Sequence, residues 1–369
     1  MNNFFEKHPQ ALVVGAGVIG LTSALCLQKE GFKVTVVAEK FAPNITSVVA
    51  GALWEYPPAV CGHHRNEVSI TRSKEWSITS YNIFATLASS LETGVRMRPV
   101  VFFFKRPIED IPSEYSKMLE FRTQVQGFKR SSNLIQDNHI NAKGELKDAY
   151  TFLAPMVDTD AYMEWLLKLA LNLGIKIENR KISGNLLKQE KSLKAEFGAD
   201  VIVNCSGLGS IELANDDTMY PLRGALVRVH NDGKTMPPVL KSYCMSFDDS
   251  TSGQDMIYII PRGDNMLVLG GLVEPDRWTT DIGLDNYQPV RDMLERCIDF
   301  LPILEDANID NMEPVRVGLR PSRKENIRLE VEPNSSIIHN YGHGGSGVTL
   351  SWGCAIEVAE LAKTKYLQL

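Results

Sequence analysis

The sequence predicts an α/β fold in which a Rossmann-type nucleotide-binding domain is interrupted by a discontinuous second α+β domain built on a mostly antiparallel sheet. Three observations carry this. A short apolar strand runs directly into a glycine-rich turn and an apolar helix, and a second buried strand ends in an acid within about 30 residues. A further glycine-rich turn leads into a helix near the end of the chain.

The first unit reads Ala11-Leu12-Val13-Val14, a continuous apolar run suited to a strand buried on both faces. Gly15-Ala16-Gly17-Val18-Ile19-Gly20 follows, and Leu21 to Lys29 continues as a helix. Lys33-Val34-Thr35-Val36-Val37 is the next strand, with Glu39 and Lys40 at its end. Gly15 permits the tight turn, Gly17 lets the backbone approach a pyrophosphate, and Gly20 lets helix and strand pack closely, while Glu39 can accept from ribose hydroxyls. NAD and FAD sites share this unit, so it does not choose between them.

Later segments return to the same style. Thr159 to Leu173 reads as helix, Ile175 to Ile177 as strand, and Ala199 to Gly207 as a buried strand ending in Ser206 and Gly207. Gly342, Gly344, Gly345 and Gly347 then let a backbone lie against a flat ligand before an apolar segment through Trp352, Ile356 and Ala359. Between these blocks, a helix from Val68 leads to the run Val100 to Phe104, and Tyr220 to Glu313 is rich in β-branched and aromatic residues. This assigns 1–58, 152–217 and 321–369 to the nucleotide domain, and 59–151 and 218–320 to a substrate domain.

Composition narrows the partners. A formal charge of −6, with an isoelectric point near 5.7 and no stripe of Lys and Arg, excludes a nucleic-acid partner and favours a small-molecule ligand. The six cysteines (Cys26, Cys61, Cys205, Cys244, Cys297, Cys354) lie far apart, as reduced thiols do, and suggest no metal site. The polar start, Met1 to Gln10, and the lack of a long apolar run predict a cytoplasmic protein that does not enter a membrane. The oligomeric state stays open, with a homodimer as one arrangement.

Separated motifs then converge on one family. Val13 to Leu21, Val49-Ala50-Gly51-Ala52-Leu53-Trp54, Ala199 to Gly207, Pro221-Leu222-Arg223-Gly224, Tyr258-Ile259-Ile260-Pro261, Val317 to Arg323 and Ile338 to Thr349 occur in this order. Over nearly its whole length the chain resembles the D-amino-acid oxidase family of FAD enzymes. The resemblance implies noncovalent FAD, contacted by the Gly15 to Gly20 turn, Glu39, Lys40, Thr46, Ser47, Ala50 to Leu53, Ile182 (as a strand residue), Ser206, Gly207 and Gly344 to Thr349. It also implies that Arg320 clamps the substrate α-carboxylate, helped by the Tyr258 hydroxyl, while the Gly345 carbonyl accepts from the amine. Leu53, Glu55 and Ser346 complete the expected substrate contacts, with molecular oxygen as the second reactant.

The departures sharpen the expectation. Gln254 stands where vertebrate members carry a lid tyrosine, Glu55 follows Trp54 where Gln is common, and Asp248, Asp249 and Asp255 add negative charge. No His lies between His230 and His339, where members acting on acidic substrates often carry one. The resemblance and these departures predict oxidation of neutral or basic D-amino acids. Oxidation of D-aspartate, glycine or sarcosine on the same fold, and a flavin dehydrogenase with a non-oxygen acceptor, remain as alternatives. Cys61, His63 and His64 are not expected to attach the flavin, and His343 is expected beside its ring instead of acting as a base.

Overall fold

The computed structural model describes residues 8–58, 63–141, 143, 145–245 and 256–368. Gln254, the three aspartates of the same segment and Cys61 lie outside them. Two sheets organise the chain. The smaller runs in the order Arg328–Val331, Ile337–Tyr341, Val201–Asn204, Gln10–Val14, Lys33–Ala38, Lys176–Asn179. All its neighbours are parallel except the first pair. Its central strand is enclosed on both faces, which explains the unbroken apolar run: Leu12 and Val13 are each 0% exposed.

One face of this sheet is covered by the helix Val18–Lys29, which packs on the C-terminal helix Gly347–Tyr366. Leu186 and Leu193, from the helix Leu186–Phe197, cover the other face against Leu12, Val14 and Ile202. The apolar stripe of the C-terminal helix runs through Leu350, Ala355 and Val358; Ile356, expected within it, is 37% exposed.

The larger sheet has nine strands and is antiparallel except where Val95–Phe104 pairs with Ser242–Met245. The run Val100 to Phe104 lies buried at its middle. The stretch expected to be β-rich also contains the helix Gln288–Phe300, whose buried side chains Val290, Met293, Cys297 and Phe300 follow the helical period. The domain limits drawn from sequence fall inside elements. Asp148–Val157 crosses 151/152 and Val315–Arg323 crosses 320/321, and both strands belong to the larger sheet. The helix Glu67–Leu87, placed by sequence in the second unit, packs instead on the C-terminal helix. Hydrophobic periodicity locates such elements but carries no signal for which sheet they join.

Among the described residues no helix is long and apolar enough to cross a membrane. The cysteines among them (26, 205, 244, 297 and 354) are all buried.

Gly353 marks the closest helix contact, because a Cβ there would meet the backbone and Cβ of Trp76 at 2.6 Å or less. Gly353→Ala is expected to cost about 1–3 kcal/mol by overpacking, read from denaturant melts, although it improves local helix propensity.

Candidate active site

A cavity of about 720 Å³ opens between the two sheets. One wall is the start of the first helix. Gly15 has φ +113, and a Cβ on it or on Gly20 would collide with backbone carbonyls, of Cys205 and Gly15 respectively. Beside Gly17 only the Ser47 hydroxyl comes within reach, and that hydroxyl accepts the Val18 N–H at 3.0 Å. Val18, Ile19, Thr46 and Ser47 line the cavity, while Ala16 is buried behind them. Thr46 donates to the Leu319 carbonyl at 3.3 Å.

The facing wall is the glycine turn after Ile337–Tyr341. Gly342 (φ +86) and Gly344 (φ +57) supply the left-handed conformations, and the Gly344 N–H donates to the Pro321 carbonyl at 3.0 Å. Gly344, Gly345, Gly347 and Val348 line the cavity. His343 also lies on this wall, with Nε2 buried and unpartnered, and burial pulls its pKa down to about 3. The Asn340 Oδ1 is likewise buried without a partner, although its amide donates to Ser23 at 3.2 Å.

The segment 46–53 also lines the cavity, held by its carbonyls from strands of the larger sheet and from the start of the helix Thr159–Asn172. Val48 accepts from Thr159 at 2.7 Å and Arg316 at 3.1 Å, and the buried Arg262 guanidinium donates to Ala50 and Gly51. Ala52 accepts from the Val157 N–H at 3.0 Å, with its own φ at +54. Ala50, Gly51, Ala52 and Leu53 therefore face the cavity in a fixed conformation. Sequence reasoning missed Arg262, whose signal is a cation directly after the apolar Tyr-Ile-Ile-Pro strand. Burial lowers its pKa to about 10, against the opposing influence of Asp158 and Asp160.

Arg320 and Tyr258 meet on the remaining wall. The Arg320 guanidinium donates to the Arg223 and Leu272 carbonyls at 3.3 Å each and, among the described residues, forms no ion pair. Its neighbour Arg223, by contrast, is paired with Glu274 at 2.7 Å. Burial pushes the Tyr258 phenol pKa up despite the nearby Arg320 cation, so the hydroxyl keeps its proton at neutral pH. Two glycines make this possible: a Cβ at Gly224 would overlap the Arg320 guanidinium, and one at Gly270 would overlap the Tyr258 ring. Glu55 and Glu114 also line the cavity, joined by the buried Lys117 at 3.1 and 3.3 Å.

Other expected site residues lie elsewhere. Glu39 and Lys40 are exposed beyond the second strand, and the Glu39 carboxylate lies 3.7 Å from Lys181. Ile182 lies in no strand; it sits in a loop, partly buried against the apolar cluster that contains Leu12 and Leu186. Its isolated β-branched side chain satisfies a core edge and does not extend the strand Lys176–Asn179. Ser206 turns its hydroxyl to Asn204 at 2.7 Å, and Gly207 alone of the pair lines the cavity. Thr349 is buried one residue beyond the wall. Ser346, expected to touch substrate, is 1% exposed and spends its hydroxyl on the His343 carbonyl at 2.7 Å. It closes the turn from inside. His63 and His64 are off the cavity, with His64 Nδ1 at 2.9 Å from the Ser69 hydroxyl.

A parallel nucleotide-type sheet beside an antiparallel one, with two helix starts facing a cavity, defines a dinucleotide-dependent enzyme. Comparison with known proteins specifies which. A family model described as FAD dependent oxidoreductase matches residues 10–361. A D-amino-acid oxidase of Rubrobacter xylanophilus is 36% identical over 96% of this chain and 95% of its own. The human D-aspartate oxidase is 30% identical over 95% and 93%. Among solved structures, glycine oxidase from Geobacillus kaustophilus superposes with a TM-score of 0.74 at 17% identity, over 97% of this chain and 95% of that one. The chain therefore belongs to the family of FAD-dependent oxidoreductases.

The residues present fit the cofactor. Two buried acceptor-capable atoms, His343 Nε2 and Asn340 Oδ1, lack partners on the cavity wall, and the glycine turns leave backbone bare on both sides.

His343 gives a pH test. A neutral imidazole in the fold that protonates near pH 6.5 once exposed takes up a proton on unfolding between about pH 6.5 and 3, so stability falls with acidification in that window. Melts of His343→Asn against the parent protein are expected to show a shallower acid slope, by up to about 1.4 kcal/mol per pH unit.

Proposed function

We propose that the protein oxidises D-amino acids to 2-oxo acids, ammonia and hydrogen peroxide. The observation that supports this most directly is Arg320, a cation on the cavity wall whose described hydrogen-bond partners are two carbonyls, with the Tyr258 phenol nearby. Such a planar, uncompensated guanidinium suits a bidentate carboxylate, and Tyr258, still protonated, adds a further donor. The Gly345 carbonyl accepts from the substrate amine and so orients Cα toward the segment 49–53. The amine is neutral when it reacts, so its lone pair follows the departing hydride. FAD, when bound, accepts that hydride and passes the electron pair to oxygen. The imino acid that leaves then hydrolyses.

No side-chain base is needed in this scheme, because position and a water-poor wall supply the rate. His343 is consistent with that: kept neutral by burial, it places no positive charge beside the amine. The two helix starts and the clamped backbone of Ala50 to Leu53 would hold FAD, and Gly347 and Val348, at the start of the C-terminal helix, would favour negative charge on it.

Arg320→Ala is expected to raise KM with a loss in kcat/KM of about 2–5 kcal/mol, while the flavin spectrum of the purified protein persists. Efficient turnover of D-amino acids at low concentration by that variant would overturn the assignment. Paired D- and L-enantiomers under anaerobic conditions should separate cleanly, with only the D-form bleaching the flavin.

A further inference from the structure

The described cavity wall carries three charged side chains, Arg320, Glu55 and Glu114. The two acids come from unconnected segments: Glu55 follows the clamped loop, and Glu114 stands in the first turn of the helix Pro112–Phe121. Lys117 lies behind both, 4% exposed at its side chain, and reaches Glu55 Oε1 at 3.1 Å and Glu114 Oε2 at 3.3 Å. Burial alone would discharge this lysine, but Glu55 and Glu114 outweigh burial and hold it as an ammonium. One ammonium against two carboxylates leaves a net charge of −1. Phe102, Leu226, Cys244 and Ile260 also line the cavity and give it apolar surface.

We propose that Glu55 and Glu114 select D-amino acids whose side chains end in a cation, an ammonium or a guanidinium, on an aliphatic stem. This rests on the reading of Arg320 as the carboxylate site. Lys117 uses one oxygen of each acid, which leaves the other oxygen of each available to a bound cation. The apolar lining suits methylene groups, and an excess negative charge in a shielded cavity attracts a cation and repels a second anion. A neutral isostere would leave the carboxylates desolvated and unanswered, the situation in which binding sites discriminate best. Lys117 therefore acts as a positioning residue: it holds two like charges together without neutralising both.

D-arginine and D-citrulline, which match in shape and differ in charge, provide the test. The flavin-loaded protein is expected to show kcat/KM at least tenfold higher for D-arginine, with the difference mainly in KM, and D-glutamate below both. In Glu114→Gln and in Glu55→Gln that ratio is expected to fall toward unity; the parent enzyme decides the question if either variant fails to load flavin. Equal kcat/KM for D-arginine and D-citrulline in the parent enzyme overturns the proposal while leaving D-amino-acid oxidation intact. A ratio that persists in both variants overturns the assignment to these acids. Failure of every D-amino acid to reduce the flavin overturns the underlying function instead, and the selectivity with it.

Discussion

The hydrogen bond from the Gly344 N–H to the Pro321 carbonyl is the constraint on which the site depends. Pro321 follows Arg320 in a strand that pairs with Met219–His230 from Val315 to Arg323 and so belongs to the larger sheet. Gly344 belongs to the turn that leaves the smaller sheet and starts the C-terminal helix. This one contact couples the wall that carries the guanidinium to the wall that carries the helix start. It is also why the turn needs a left-handed residue where the chain bends back, with φ +57 at Gly344.

Glycine does a second kind of work opposite the large polar side chains. Tyr258 lies across from Gly270 in the antiparallel register, and its ring fills the space a Cβ would take. Gly224 gives the same room to Arg320 from the neighbouring strand. The guanidinium is thus pressed against a bare backbone and offered carbonyls at 3.3 Å, the long end of a normal hydrogen bond. A cation so weakly satisfied is expensive to keep, which argues that its full set of partners includes a ligand. Arg262 differs in what it holds: its guanidinium donates to the Val48, Ala50 and Gly51 carbonyls and so fixes the segment 48–51, although its Nε is buried without a partner.

Much of this was legible in the sequence because local chemistry forced it. Strand, glycine turn and helix at 11–29 follow from period and from steric need at Gly15 and Gly20, and the strand around Tyr258 follows from its apolar run. What stayed hidden depends on direction and distance along the chain. Ser346 sits among cavity residues, yet its side chain points inward to His343, and composition cannot show which way a hydroxyl turns. The Ile182 strand was misjudged because Lys176–Asn179 is an edge strand that stops at Asn179, three residues earlier, with no apolar alternation to mark the stop. Nor could periodicity reveal that Glu67–Leu87 joins the nucleotide layer, since that choice is made by the bare backbone of Gly353 far away in the chain.

The association of Glu55, Glu114 and Lys117 was the least legible feature and has the largest consequence. Glu55 stood out in the sequence only as an acid where Gln is common, and nothing there pointed to Glu114 or Lys117, which lie three residues apart on one helix. Folding buries the lysine under the strand of Phe102, whose ring centroid lies 5.9 Å from the ammonium, and so brings a second acid to it. A buried cation with one acid would be a neutral structural pair; with two it becomes a source of field at the cavity wall. The cavity is then polarised, lined by a guanidinium that has no ion pair among the described residues and by an excess carboxylate. A ligand that answers both must carry a carboxylate at one end and a cation at the other, beyond whatever amine reacts between them. Side-chain charge, rather than side-chain size, is the property this cavity is built to sense.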